Sequence, residues 1–423
     1  MTPERFVFAH LADAHIGAWA RDVAIRQALR ESVLRALDVA RERRVEFLLV
    51  SGDLFHNPVP DPTEVAPLAG ALRRLVDDGI RVYLIFGSHD YVAHRTGWLD
   101  VLGEAGVFVR VAPEAVRATG QHWTLPFQID RETGARIAGI SGRAHGLDRE
   151  YFHAVDSTAF RAEPGFKVFQ FHAAVEEYLP EGLRGHVPSV PVADLPAGCD
   201  YYAGGHIHTT YTGQGPGGGL LVNPGAVFGT SRPDLEAGLE GRTAQGLAIV
   251  SVTGGVPSVE FVTTAPRETL RLVDVDVTGR DLEEARREVR RRLEDAEGPG
   301  SLVFPRVHGA LREGDATTLD LAEIARGVPA ARGSIHWDLR DLVPTTHAAE
   351  SRAPSEVELE ELTRLCGAGP DGPRWLAQPG ATDRLRELLR DLGTPIADGE
   401  ARADYLDARR RGALALIDPT SEA

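Results

Sequence analysis

Lysine is nearly absent from this chain: Lys167 stands alone among 46 lysines and arginines. Positive charge as a whole is short, and the formal net charge of -16 excludes a generally basic nucleic-acid coat, which would displace counterions from phosphate. Any phosphate affinity must then be local. Arginine offers a planar fork suited to bidentate phosphate contacts, although coding bias in a GC-rich genome explains the preference more simply. Cysteine is equally scarce. Cys199 and Cys366 lie far apart without a partner motif, which excludes a disulfide framework and a thiolate zinc site and predicts buried, reduced thiols. No apolar run approaches the roughly 18 residues of a membrane span, and no charged-then-apolar leader opens the chain. No internal repeat or low-complexity tract is visible. The expectation is a soluble, cytoplasmic protein with no membrane attachment.

What remains is ample for a core: 423 residues, 43% of them apolar, enough for two or three units at roughly 100 to 200 residues per domain. Over residues 1–265, short β-branched runs alternate with longer amphipathic ones. "RFVFAH", "VEFLLVSGD", "RVYLIFGSHD", "FKVFQFHAA", "DYYAGGHIH", "GLLVNPG", "GLAIVSV" and "SVEFVTT" read as strands bounded by Gly, Asp or Asn. Between the first two, Leu29, Val33, Leu37 and Ala40 recur at helical steps; between the next two, Val65, Leu68, Leu72 and Leu75 do the same before Gly79. Strand, helix, strand, helix, strand predicts a parallel sheet at the front. The Gly-rich, short connections later on predict a more antiparallel back half. Residues 266–342 read as a small α+β unit, with Leu282, Ala285, Val289 and Leu293 on one helix face. Residues 343–355 read as a linker and 356–423 as helices, with a Ser355-x-x-Glu358 capping box and stripes Leu359, Leu362, Leu365 and Leu385, Leu388, Leu389, Leu392. Such helices cannot bury their apolar faces well alone, so they dock on their own domain or await a partner.

The chemistry gathers at strand ends. "FAHLADAHIG" stops abruptly at Asp13-x-His15; "SGDLFH" brings Asp53 and His56; "FGSHD" brings Ser88, His89 and Asp90; "FQFHAA" brings His172; "GGHIH" brings His206-x-His208. In open α/β sheets the carboxyl edge is where ligands bind. A lone histidine at a strand end is ordinarily a hydrogen-bonded turn residue, and Gly-Asp turns are common. Five strand ends that all deliver carboxylates or imidazoles to one rim, several after a glycine that permits close backbone approach, point instead to metal. Asp13, His15 and His208 could complete one sphere and His172, His206 and Ser88 another, with Asp53 placed to bridge them. Two divalent ions bring about four positive charges and two aspartates remove two, leaving a net positive site that favours a phosphodiester and hydroxide as nucleophile. Mixed imidazole and carboxylate ligation suits manganese, iron or zinc rather than calcium. His89 is left free to stabilise the transition state or protonate a leaving oxygen. His94, His122, His145 and His186 read as surface residues. Trp98, Leu99, Val101 and Leu102 form a helical face that reads as ordinary core, or as the dimer contact that the family resemblance described next implies, and Arg95, Arg143 and Arg232 flank the motifs as candidates for phosphate contact or plain solvation.

"HLADAHIG", "SGDLFH", "FGSHD", the histidine of "FQFHAA" and "GGHIH", in this order and spacing, resemble the calcineurin-like metallophosphoesterases, and within them the SbcD-type, meiotic-recombination-type nucleases of double-strand-break repair. The likeness covers roughly residues 5–230 by motif; beyond that it is one of layout. It implies an α/β fold: a β-sandwich flanked by helices, a small α+β cap that helps position DNA, and C-terminal helices that bind an SMC-like coiled-coil ATPase. It further implies a manganese-dependent DNA exonuclease and endonuclease, a homodimer associated with the nucleoid. Asp13, His15, Asp53 and His208 would hold one manganese and Asp53, His172 and His206 the other, with His89 as the catalytic histidine and His56 beside the phosphate. One departure stands out: the family has asparagine, a second-metal ligand, where this chain has Ser88, a shorter and poorer donor. Two other readings are a phosphodiesterase acting on small nucleotides, which has no use for partner-type helices, and a metal-poor scaffold, for which Ser88 is the only support.

Overall fold

The structure, a computed structural model, describes residues 4–20, 22–91, 96–111, 117–119, 122–142, 148–267, 269–296, 301–312, 319–321, 323–324, 334–335, 337–339, 342–343, 378, 380–392, 409 and 411–413. It divides into two compact units, 1–344 and 345–423. In chain order, the first unit opens with β1 (Arg5–Leu11), α1 (Val23–Glu42), β2 (Phe47–Ser51), α2 (Pro62–Asp77), β3 (Arg81–Ile85), α3 (Trp98–Glu104) and β4 (Val109–Arg110). A hairpin of β5 (Arg117–Thr119) and β6 (His122–Thr124) follows, then β7 (Gln128–Ile129), β8 (Arg136–Ile140), α4 (Asp148–His153), α5 (Ser157–Ala162) and β9 (Lys167–Phe171). Next come β10 (Ala174–Val175), β11 (Ser189–Val190), β12 (Tyr201–Ala203), β13 (Tyr211–Gln214), β14 (Leu220–Asn223), α6 (Arg232–Leu239), β15 (Gly246–Thr253) and β16 (Val256–Thr263). The unit closes with β17 (Leu270–Asp276), α7 (Leu282–Asp295), β18 (Leu302–Ala310), β19 (Ser334–Ile335) and β20 (Leu342–Val343).

Two six-stranded sheets face each other. The first runs β16-β15-β1-β2-β3-β4, with β1 to β4 parallel; the second runs β13-β14-β12-β9-β8-β7. The front is parallel as the strand-helix alternation predicts. The back half is not uniformly antiparallel: β8, β9, β12 and β14 run parallel, while β7, β13, β15 and β16 pair antiparallel. The cause is connection length. Segments of more than about a dozen residues separate β8 from β9 and β9 from β12, enough for a crossover back to the same edge.

The space between the sheets is filled by alternate side chains of both. Phe8 stacks on Phe47 at 4.8 Å and meets Tyr201 edge-on at 5.0 Å, with Ile137, Val168 and Val250 around them. The outer face of the first sheet is covered by α1 and α2, whose Leu29, Val33, Leu37, Leu68, Leu72 and Leu75 are buried at the predicted steps. Both helices start where an aspartate supplies the cap: Asp22 accepts from Ile25 N and Asp61 from Thr63 N, with Pro62 in the first turn. On α3, Leu99 and Leu102 are core, while Val101 is 48% exposed and Trp98 half-buried.

Strands β17 and β18 pair in parallel around α7, and Val275, Val277, Ala285, Val289 and Leu293 make a small core of their own. In the second unit one helix, α8 (Ala381–Leu392), is described; the linker residues 344–355, the 355–365 helix and Cys366 lie outside the described residues. Cys199 is buried and free, and burial pushes its thiol up in pKa. Among the described residues no helix is long and apolar enough to cross a membrane.

Candidate metal centre

The parallel strands β1, β2, β3, β9 and β12 end on one rim between the sheets, and each hands over to a turn carrying polar side chains. The turns are stitched to one another: Asp13 N donates to Gly52 O at 3.1 Å, His15 N to Asp53 O at 2.9 Å, and Gly142 N to Phe86 O at 2.8 Å. Four of the residues in question sit in the left-handed region, Asp13 at φ 51, His15 at 46, Asp53 at 51 and His206 at 88. Such backbone costs about 1–3 kcal/mol per residue and persists where the surroundings over-determine it. Glycine makes the crowding tolerable. A Cβ on Gly87 would overlap Asp53 Oδ1 and N, and one on Gly52 would overlap the His172 ring.

Among the described residues, three groups of side chains converge closely enough to hold a metal ion: Asp13, His15 and His208; Asp53, His172 and His206; and His15, His56 and His89. Asp13, His15, Asp53 and His172 are buried, His56, Ser88, His206 and His208 half-buried, and His89 exposed at the rim. Asp53 lies between the first two groups, with Oδ2 3.7 Å from His15 Nε2 and 3.2 Å from His172 Nε2. Its other oxygen accepts from His89 N at 2.8 Å, and Ser88 Oγ donates to Oδ2 at 3.3 Å. Ser88 thus stands beside the second group through its bond to Asp53.

The imidazoles are oriented from behind. His172 Nδ1 donates to Ser51 O at 2.8 Å and His208 Nδ1 to Asp234 Oδ2 at 2.9 Å, so each turns Nε2 into the cluster. His89 Nδ1 lies 2.8 Å from His56 O, and the two rings stack at 5.2 Å. Asp13 accepts His206 N on both oxygens.

A divalent cation fits this donor set. Nε2 of His15 and Nε2 of His208 face each other at 3.1 Å with Asp13 Oδ1 3.9 Å from the former, so two imidazole nitrogens and a carboxylate oxygen converge on one point. His172 Nε2 and His15 Nδ1 are buried without a hydrogen-bond partner, the former beside Asp53 but out of hydrogen-bonding line. Left to one another, these groups share protons. Burial lowers the basicity of His172, but Asp53 and Asp13 overrule it and hold the imidazole up at about 10; Asp53 stays well below the usual carboxylate range because His172 and His15 outweigh its own burial. Burial likewise opposes Asp234, Asp13 and Asp53 at His208, which still rises to about 9. Burial keeps His15 well below its ordinary value, brings His206 to about 4 and pushes Asp13 up to about 6.

Residues 6–210 match the calcineurin-like phosphoesterase family, and this part of the chain is a calcineurin-like phosphoesterase domain. Among curated proteins, the chain is 26% identical over 202 residues to the DNA double-strand break repair protein Mre11 of Methanococcus maripaludis, covering 48% of this chain and 51% of that one. It is 26% identical over 296 residues to the Mre11 protein of Methanopyrus kandleri, 67% of this chain and 62% of the relative, and 26% identical over 268 residues to an uncharacterized metallophosphoesterase, YhaO, of Bacillus subtilis, 60% and 59%. The chain therefore spans about half to three-fifths of the length of these relatives.

One candidate phosphate ligand is spoken for. Arg232 is only 5% exposed; its guanidinium donates to Glu236 Oε1 at 2.8 Å and to the carbonyl of Phe304, and lies 3.3 Å from Asp274 Oδ1, so it neither awaits phosphate nor lies in solvent. His186 is exposed, as expected. His94, Arg95, Arg143, His145 and the side chain of His122 lie outside the described residues. Three residues support the site from behind: Asp90, noted in "FGSHD" but given no role there, and His10 and Asp234, which the sequence did not single out. Asp90 is buried and accepts from the backbone N–H groups of Leu54, Phe55 and Gly87, clasping two of the loops together. His10, buried and held neutral by that burial, links Ser51 Oγ and Tyr201 OH at 3.0 Å each beneath the cluster. Asp234 backs His208; the Ser231-x-x-Asp234 spacing of a capping box was its only signal in the sequence.

Proposed function

We propose that this chain is a metal-dependent DNA nuclease of the double-strand-break repair type, working through two divalent cations, with manganese as the resident metal. The observation that carries the proposal is the pairing of Asp13, His15 and His208 with Asp53, His172 and His206 across one carboxylate on one rim. Divalent cations in such a centre supply Lewis acidity at a phosphoryl oxygen and a nucleophile from water at neutral pH. The protein's part is orientation. Asp53, locked by His89 N and Ser88 Oγ, would be the ligand common to both cations; His172 is aimed by the Ser51 carbonyl and His208 by Asp234. Ser88 contributes through Asp53 rather than by the longer reach of an amide. His89, exposed and pinned at Nδ1 on the His56 carbonyl, keeps its other nitrogen for the departing sugar oxygen, with His56 stacked beside it near the phosphate.

Because the attacked atom is phosphorus, base sequence should matter little and the form of the DNA end a great deal. The two Mre11 relatives, by name repair proteins for double-strand breaks, support DNA as substrate. On this reading residues 266–342 help to position DNA, 356–423 bind an SMC-like ATPase beyond the 343–355 linker, the Trp98 and Val101 side of α3 meets a second copy, and the protein works at the nucleoid. The test is a time course on end-labelled linear duplex with added manganese, run beside a small chromogenic phosphodiester. Shortening of the duplex that disappears in Asp53→Ala is the expected result. Turnover of the small ester alone would move the reading to a nucleotide phosphodiesterase.

A further inference from the structure

We infer that α6 is a positioning element for one of the two cation positions only: Asp234 holds His208 for the position it shares with Asp13 and His15, and Arg232 anchors that helix to the lobe of β17 and β18. The inference rests on the two-cation reading. Its ground is an asymmetry behind the ligands. His172 leans on a neutral acceptor, the Ser51 carbonyl, whereas His208 leans on a carboxylate, Asp234 Oδ2, at 2.9 Å. A carboxylate fixes the tautomer and also raises the basicity of the coordinating nitrogen.

Asp234 is built in rather than incidental. Its Oδ2 also accepts Thr230 N at 2.8 Å and Ser231 N at 3.1 Å, and its own N–H donates to Ser231 Oγ. Gly229, at φ 108, has no room for a Cβ because Asp234 lies against it, and its carbonyl accepts Trp19 Nε1 at 3.0 Å from the loop that follows His15. Trp19 in turn packs edge-on against Phe304 of β18 at 5.7 Å, and the carbonyl of that same Phe304 accepts the buried guanidinium of Arg232. One turn of α6 therefore bears on His208 at one residue and on the β17–β18 lobe at another, two positions apart. A helix cap alone would explain the Ser231 and Thr230 bonds; it gives no reason for the same oxygen to hold a candidate ligand.

The test is a Mn2+ titration of the full chain by calorimetry and electron paramagnetic resonance, comparing the native protein with Asp234→Asn, His208→Ala and the double variant. Asparagine keeps the size and an acceptor oxygen and removes the charge. The expected result is two ions in the native chain, one of them about 10- to 100-fold weaker in Asp234→Asn, the other unchanged and serving as the control for folding. In the His208→Ala background Asp234→Asn should then have no further effect. Should Asp234→Asn not fold, Asp274→Ala, which removes a 58% exposed partner of Arg232, carries the test by a smaller weakening of the same ion. Equal weakening of both ions, no weakening, or a full additional loss in the His208→Ala background would overturn the inference. Fewer than two ions in the native chain would overturn the two-cation reading itself, a result visible before any variant is compared.

Discussion

At the residue scale, protons and cations compete for the same nitrogens. His172 is held up at about 10 and His208 at about 9, against an ordinary 6.5, by the carboxylates that burial leaves them with. A raised imidazole contributes stability that is full below 6.5 and is lost as pH climbs through its folded value. The lowered Asp53 works the other way, contributing above 3.8 and losing that contribution as pH falls. A cation must displace the imidazole protons, so manganese affinity should rise with pH between about 6.5 and 9, by about tenfold per unit if each ion displaces one proton. Calorimetry in buffers of different ionisation enthalpy reads that release directly; affinity independent of pH would contradict it. The ligand candidates were legible because each follows an apolar run within about five positions. Asp234 and His10 were not, since their partners lie 26 and 191 residues away in sequence and only the folded chain brings them together.

At the scale of elements, the rim depends on turns tight enough to press loop against loop. Gly87 is the clearest case, because its Cα faces the carboxylate and backbone nitrogen of Asp53. Gly87→Ala should cost about 1–3 kcal/mol of stability by overpacking and should also cost manganese binding, since Asp53 cannot keep both its place and its bond from His89 N. Urea unfolding and metal titration of the same variant check the two halves; a stable variant with native manganese affinity would refute the steric argument. The helices α1 and α2 and the parallel front could be read from periodicity, as their buried faces follow the three- and four-residue steps. The parallel strands of the second sheet could not, because short apolar runs carry no sign of direction, and direction is decided by how far the connecting chain can travel.

At the scale of the whole molecule, the net charge of -16 sets the relation to DNA. Favourable charge must be confined to the rim and its cations, so the chain alone should hold duplex DNA weakly, and more weakly as salt rises. Adding the proposed ATPase partner should strengthen binding sharply in a fluorescence anisotropy titration, and an unchanged affinity would count against the assembly proposed for residues 356–423. The helix α8 carries Leu385, Leu388 and Leu389 of the stripe expected there, with Leu389 40% exposed. Its partner was never readable from one chain, since an apolar face says that something covers it and not what. The central claim, two cations sharing Asp53, is tested most directly by diffraction from crystals soaked in manganese, with data collected at the manganese absorption edge. Two anomalous peaks are predicted, one bounded by Asp13, His15 and His208 and the other by His172 and His206, with Asp53 between them. A single peak, or none at this rim, would contradict it.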